Sequence, residues 1–68
     1  MIDKNKIAKT LIELRGDRSR EEVSKAIGVS ISALQMYENA NRVPRDEIKL
    51  ALARYYNVSI ESIFFETQ

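Results

Sequence analysis

The feature that most constrains the fold of this chain is a pair of very short helical segments separated by only about three residues. Ser19 begins the first segment as part of a capping box, because its hydroxyl can accept a hydrogen bond from the backbone N–H three residues on while Glu22 reaches back. Gly28 ends this segment, since glycine suits the left-handed position after a helix, and Ser30 can cap the next one. Two-turn helices are short for an up-and-down bundle, so the pattern argues against that architecture.

Further start and stop signals predict three more helices. Asp3 and Gly16 bracket apolar residues at helical spacing near the N-terminus. Pro44 blocks helix at the residue before it, so that a helix can open at Arg45 or just after it, and Ser59 caps a last short helix. The predicted helices span about 4–15, 20–27, 31–39, 45 or 46 to 56, and a short segment from 60. The apolar faces are expected at Val23, Ala26 and Ile27 in the second helix and at Ile48, Ala51, Leu52 and Tyr55 in the fourth.

Composition excludes several classes of protein. The 68 residues allow a single domain over 1–68 and contain neither cysteine nor histidine. This removes disulfides, thiolate nucleophiles, most zinc sites and the commonest general base. We therefore expect no enzyme, no catalytic residue, no cofactor, no metal and no small-molecule ligand. No apolar run approaches the roughly 20 residues of a membrane span and the first residues lack the apolar region of a signal peptide, so we expect a cytoplasmic protein without a membrane partner.

The distribution of charge is more informative than its sum of +1. From residue 23 to residue 37 the only charge is Lys25, and Glu38, Arg42 and Arg45 follow. A helix free of carboxylates and flanked by arginines would tolerate the phosphates that line a DNA groove. The same pattern fits a neutral helix with ordinary solvated charges at its ends, so charge alone leaves both interpretations open.

A resemblance to a known family covers nearly the whole chain. Residues 19–30 resemble the opening of the helix-turn-helix motif of the Xre (Cro/CI) family, and residues 31–38 with Arg42-Val43-Pro44 resemble its recognition helix and the following loop. Residues 55–64 look like the family's closing helix pair. The resemblance implies an all-α, lambda-repressor-like domain of five short helices. It also implies a sequence-specific regulator of transcription that binds double-stranded DNA with the second helix of the motif in the major groove, as a repressor of phage, mobile-element or bacterial promoters.

The helix predicted over 31–39 has one side for the core and one side for a partner. Successive residues step about 100° around a helix, which puts Leu34 and Tyr37 on the core side together with Ala33 and Ser30. On the other side, the apolar Ile31 and Met36 would touch thymine methyl groups while their polar neighbours bond base edges. In the alternative interpretation, Ile31 and Met36 are scattered exposed apolar residues, or they contact a partner protein. With the residues that the resemblance implies, the expected base-contacting set is Ser30, Ile31, Ser32, Gln35 and Met36.

Phosphate contacts are expected from the rim of this surface. Arg20 begins the second helix, where free backbone N–H groups attract anions, and its position is usually Gln in the family. The loop after the third helix grips the DNA backbone in relatives. Each arginine taken alone fits a solvated surface residue equally well. The expected phosphate-contacting set is Arg18, Ser19, Arg20, Asn39, Arg42 and Arg45.

The resemblance also bears on the internal structure. It implies an ion pair between Arg15 and Glu38. Ser24 stands where alanine is usual, so its hydroxyl needs a backbone acceptor if it is buried. Ala40 stands where glycine is usual, and we expect an asparagine on either side of it to take the left-handed turn if one is needed.

A single short reading helix makes few contacts, so specific binding favours a homodimer on a palindromic operator. Its contacts are expected from apolar residues of the last two helices, although the same residues fit the core of the monomer. The alternative function is a protein-interaction module that keeps the fold, such as an antirepressor or an antitoxin-type partner. Such a module would bind its partner through Ile31 and Met36 without salt-dependent DNA binding. The expected dimer-interface set is Leu50, Ile60, Phe64 and Phe65.

Overall fold

The computed structural model describes residues 3–65, and these residues form five helices joined by short turns, with no strand. They confirm the prediction of an all-α fold, and the third helix ends one residue earlier than expected. In this part of the chain no helix has the length and the apolar character that crossing a bilayer requires. The helices are α1, Lys4–Arg15; α2, Arg20–Ile27; α3, Ile31–Glu38; α4, Asp46–Tyr56; and α5, Ile60–Phe64.

Predicted side-chain caps begin four of the five helices. In Asp3, Ser19, Ser30 and Ser59 a side-chain oxygen accepts a hydrogen bond from a backbone N–H two or three residues on, at 3.0–3.3 Å. Replacing such a cap by alanine destabilises a protein by about 1 kcal/mol. The caps therefore fix where α2 and α3 begin, and with them the short connection between these two helices.

Three helices end in the same way, with one residue in the left-handed conformation. The residue after it donates its backbone N–H to the carbonyl five residues back, at 3.0 Å each time. The prediction that Asn39 or Asn41 would take this conformation is wrong. Ala40 takes it, with a φ of +63°, because the bond that closes α3 joins the N–H of Asn41 to the carbonyl of Met36. The three left-handed residues are Gly28 after α2, Ala40 after α3 and Asn57 after α4.

Helices α1, α3 and α4 each place one completely buried leucine in the core, and α2 adds Val23 and Ile27. The three leucines are Leu11, Leu34 and Leu52. Helix α5 closes this core with Ile63 and Phe64. Complete burial of a leucine side chain stabilises the fold by about 2 kcal/mol relative to exposure, so these contacts outweigh any single cap. The core anchors the inward side of α3 and leaves its other side to the solvent.

The apolar face predicted for α2 needs correction. Ala26 is exposed, and Ser24 lies in its place on the buried side. The hydroxyl of Ser24 donates to the carbonyl of Glu21 at 3.0 Å, which supplies the backbone acceptor that its burial requires. A hydroxyl that is hydrogen-bonded within its own helix can be buried at little cost. The serine at position 24, where the family usually has alanine, therefore does not disturb the packing of α2.

The apolar face predicted for α4 is rotated by about one residue. Its buried seam includes Lys49, which a reading of apolar spacing passes over. The stem of Lys49 is apolar and packs in the seam, while its Nζ lies 5.1–5.6 Å from the ring centroids of Phe64 and Phe65. The buried residues are Lys49, Leu52, Ala53 and Tyr56, flanked by the half-buried Ile48, Ala51 and Tyr55.

The four residues expected at a dimer interface differ in burial. Phe64 is only 3% exposed and belongs to the core of the monomer, so the expectation that it contacts a second copy is corrected. Ile60 is half-buried against the same core. Leu50 and Phe65 are 47% and 48% exposed, and they retain apolar surface for a partner.

Candidate nucleic-acid interface

The two sides of α3 differ as the helical step of 100° predicts. Leu34, Tyr37 and Glu38 face inward and are buried, and α3 packs against α1 and α2. On the outer side, Ile31, Ser32 and Gln35 are exposed and Met36 is half-buried, as predicted for base-contacting residues. Ser30, which the helical step places in line with the buried residues, is exposed as the N-cap that precedes α3.

The connection between α2 and α3 sets the direction of this outer side. Gly28 has a φ of +79°, and Val29 donates its N–H to the carbonyl of Ser24 at 3.0 Å. Ser30 then caps α3. The two helices are thus joined by only three residues, of which the first two end α2 and the third begins α3. This is the arrangement in which a second helix protrudes from a supporting first helix, as a groove-reading helix must.

A buried carboxylate joins the ends of three helices. Glu38, the last residue of α3, has no exposed side-chain surface. Its Oε2 accepts a hydrogen bond from Nε of Arg15 at 2.9 Å, and its Oε1 accepts one from Nε of Arg20 at 2.8 Å. The structure thus brings together Arg15 and Glu38, the predicted ion pair, and adds a second arginine. Because each oxygen has its own cationic donor, the only acidic residue of α3 adds no unpaired negative charge to the helix.

The contact of Arg20 with Glu38 is the feature that sequence reasoning missed. Arg20 is expected at a phosphate, and the structure places its Nε on a carboxylate, with 35% of the side chain exposed. The two residues are 18 positions apart on different helices, so no periodic pattern links them. The only available signal is that arginine stands at position 20, where the family usually has the neutral glutamine. The sequence had already predicted a different cationic partner, Arg15, for Glu38.

Arg18 is exposed, but its guanidinium makes contacts within the chain. Its Nη1 donates to the carbonyl of Leu14 at 3.0 Å, and its guanidinium lies 5.5 and 5.7 Å from the ring centroids of Tyr55 and Tyr56. The hydroxyl of Tyr55 in turn donates to Glu22 at 3.3 Å. Burial and the nearby carboxylate of Glu22 raise the pKa of Tyr55. Of the predicted phosphate contacts, Arg18 is therefore the one most engaged in intramolecular contacts.

Tyr56 has a buried hydroxyl with no hydrogen-bond partner among residues 3–65. Burial raises the pKa of Tyr56 to about 12, and the carboxylate of Glu38 and the hydroxyl of Tyr55 act in the same direction. The neutral phenol is thus strongly favoured in the folded chain. Tyr56 belongs to the support of the ion-pair cluster and presents nothing to a partner.

The loop after α3 places further arginines beside the outer side of α3. Asn39, Arg42 and Arg45 are exposed, and neither arginine side chain makes a hydrogen bond or an ion pair in the part of the chain that the structure describes. The two arginines border a groove of about 520 Å³ between this loop and the connection from α2 to α3. Ser19 is also exposed, at the start of α2. The groove is lined by Gly28, Val29, Ala33, Tyr37, Arg42, Val43, Arg45 and Ile48.

The fold and this surface define a helix-turn-helix protein of the lambda-repressor-like type. Residues 7–63 of the 68-residue chain match the helix-turn-helix family of the Cro/CI type, and the chain belongs to this family of DNA-binding regulators. No curated protein sequence matches the chain.

Proposed function

We propose that this protein is a sequence-specific transcriptional regulator that inserts α3 into the major groove of double-stranded DNA. The observation that carries the proposal is the contrast between the two sides of α3. Its outer side offers hydroxyl, amide and apolar side chains without a carboxylate, while Glu38 is fully buried and paired with two arginines. A helix with that surface can approach base edges between two rows of phosphates without a charge penalty.

In this proposal the outer residues of α3 read sequence. Ile31, which is 43% exposed, and Met36 contact thymine methyl groups. Ser32 and Gln35 form hydrogen bonds to base edges, and Ser30 contacts the groove at the start of the helix. A change at one of these positions alters which sequence binds best, because it affects contacts to particular base pairs.

Phosphate contacts come from both flanks of α3. Asn39, Arg42 and Arg45 bind the DNA backbone on the loop side, and Ser19 and Arg20 bind it at the start of α2. The exposed side chains of Arg42 and Arg45 have no hydrogen-bond or ion-pair partner among residues 3–65, and they support the loop side most directly. Arg18 contributes least, because its guanidinium is held by Leu14 and the two tyrosine rings.

The regulator acts as a homodimer on a palindromic operator, and we propose repression as its effect. One copy offers a single reading helix of eight residues, which is little surface for specific recognition. Leu50 and Phe65 provide exposed apolar surface for the second copy, with Ile60 beside them.

Selection of bound sequences from random duplex DNA at moderate salt tests the proposal, followed by two variants. Arg42→Ala should weaken binding to all sequences and lower the slope of log K against log salt by about 0.9 for each phosphate that the variant no longer neutralises. Met36→Ala should instead change the preferred base at one position of each half-site. Arg54→Ala, which removes an exposed arginine in the last turn of α4, is the matched control for the change in net charge.

Absence of salt-dependent binding to any duplex would refute the proposal. If a protein partner then bound tightly through Ile31 and Met36, the chain would be an interaction module of the antirepressor or antitoxin type. Equal weakening by both variants on every DNA tested would contradict the separation of base reading from phosphate binding.

A further inference from the structure

The cluster around Glu38 contains an arginine whose terminal nitrogens are unused. A guanidinium carries five N–H donors, one on Nε and four on the two terminal nitrogens. Arg20 uses only Nε, at 2.8 Å from Glu38, and its terminal nitrogens have no partner within residues 3–65. Arg15 differs, because its Nη1 donates to the carbonyl of Arg18 at 2.9 Å in addition to its bond with Glu38.

Exposure separates the two arginines in the same way. The side chain of Arg15 is 17% exposed and that of Arg20 is 35% exposed, although both bind the same carboxylate. Arg15 is therefore enclosed at the junction of α1 and α3. Arg20 reaches the surface at the first residue of α2, with its guanidinium plane fixed at one end by a carboxylate that has no exposed surface.

We infer that Glu38 is a positioning residue for DNA binding, which fixes Arg20 so that the two terminal nitrogens of its guanidinium bind one phosphate of the DNA backbone at the start of α2. The inference rests on the proposed function. With Nε occupied by Glu38, the free end of the planar group matches two oxygens of a phosphate in a bidentate contact.

Positioning of this kind improves binding without adding a contact. An arginine that is free in solution loses rotamer freedom when it binds a phosphate, and that loss opposes association. Arg20 has already lost much of that freedom on folding, because its Nε is bound. The carboxylate does not cancel the charge that the DNA meets, since two arginines share one glutamate and the cluster keeps a net charge of +1.

Duplexes that carry a single neutral methylphosphonate at successive backbone positions provide the test. The duplex is the best sequence from the selection, and the wild-type chain is measured first. We expect one phosphate in each half-site whose neutralisation weakens wild-type binding about tenfold, the size of one charge-assisted hydrogen bond. In Arg20→Gln and Arg20→Lys the same neutralisation should have a smaller effect than in the wild type, and the part that remains comes from Ser19 and the free N–H groups at the start of α2. Lysine keeps the charge but cannot bind Glu38 and present two further donors in one plane.

Glu38→Gln tests the positioning role itself, with the folded fraction checked by circular dichroism. A folded Glu38→Gln protein should show a smaller effect at that phosphate although Arg20 is unchanged. Arg15→Lys is the matched control, because it disturbs the same carboxylate from its enclosed side and should keep the wild-type methylphosphonate profile. If Glu38→Gln fails to fold, Glu38→Asp takes its place, because it keeps the buried charge but withdraws the carboxylate from Arg20 by one methylene group, and it should also show a smaller effect at that phosphate.

Two results would overturn the inference, and they differ from failure of the proposed function. Lower thermal midpoints in the Arg20 variants with an unchanged methylphosphonate profile would show that Arg20 only stabilises the fold. A folded Glu38→Gln protein with the full wild-type effect at that phosphate would show that Arg20 needs no positioning. If the wild-type chain bound no duplex at low salt, the proposed function itself would fail.

Discussion

Ala40 is held in a conformation that disfavours alanine, so Ala40→Gly should stabilise the protein. The left-handed conformation, here with a φ of +63°, costs a residue with a Cβ about 1–2 kcal/mol. Glycine returns about 0.4–1 kcal/mol of this, because it gives the unfolded chain more freedom. Removal of a half-buried methyl group subtracts roughly 0.4 kcal/mol more. The expected net gain in the free energy of unfolding is about 0.5 kcal/mol, or about 2–4 °C in the thermal midpoint of a domain of this size.

The chain contains its own control for this prediction. Gly28 occupies the equivalent position after α2, with a φ of +79° and the same closing hydrogen bond from the next residue. A Cβ at Gly28 would meet no atom within 4 Å, so Gly28→Ala isolates the backbone effect. It should destabilise the protein by about 1 kcal/mol. Asn57→Gly should change little, because asparagine tolerates this conformation better than other residues with a side chain.

Urea unfolding and calorimetry of the variants measure both effects. The reasoning predicts opposite signs for Ala40→Gly and Gly28→Ala with unchanged dependence on denaturant concentration. A lower midpoint for Ala40→Gly, or an unchanged midpoint for Gly28→Ala, would show that the left-handed conformation carries no strain here.

Two further predictions concern stability and assembly. Tyr56→Phe removes a buried hydroxyl without a partner in residues 3–65 and should raise the free energy of unfolding at pH 7 by about 1 kcal/mol. Because burial is the main cause that raises the pKa of Tyr56 from 10.0 to about 12, the unfolded chain loses the phenol proton at a lower pH than the folded chain does. The free energy of unfolding should therefore not depend on this group below pH 10 and should fall as the pH rises from 10 to 12. Urea titrations between pH 10 and pH 12 should therefore show that the free energy of unfolding falls by about 2–3 kcal/mol more in the wild type than in Tyr56→Phe. Equal falls in the two proteins would contradict the raised pKa. The double variant Leu50→Ser with Phe65→Ser should remain folded, since both side chains are about half exposed. It should sediment as a monomer at concentrations where the wild type is dimeric. An unchanged sedimentation coefficient would exclude this surface as the dimer interface.

Local signals in the sequence were sufficient to predict the helices. A cap such as Ser19 acts within three residues, and a stop such as Gly28 acts within one turn, so both can be identified without knowledge of the packing. The outer side of α3 could be predicted for the same reason, because its neighbours follow from a fixed angular step.

The errors arose where tertiary packing decides the outcome. Lys49 lies in the buried seam of α4 with its Nζ near the rings of Phe64 and Phe65, and nothing adjacent in the sequence indicates this contact. Phe64 and Phe65 are both apolar, and only the docking of α5 determines that the first is buried and the second exposed. Arg20 meets Glu38 through the mutual placement of α2 and α3, which a pattern along either helix does not contain.

The chemical nature of the Glu38 cluster argues for a role at the interface. An apolar trio of similar volume would hold the ends of α1, α2 and α3 together at least as well, because burying a carboxylate costs desolvation that its ion pairs only partly recover. Removal of one partner from a buried pair destabilises by about 3–5 kcal/mol, a large part of the roughly 3–10 kcal/mol available to a domain of this size. Apolar residues would, however, present no N–H donor at the first residue of α2. An arginine held by a buried glutamate supplies both a rigid junction and free donors. Stability of the junction alone does not explain the charges, whereas the phosphate binding that we propose for Arg20 would explain them.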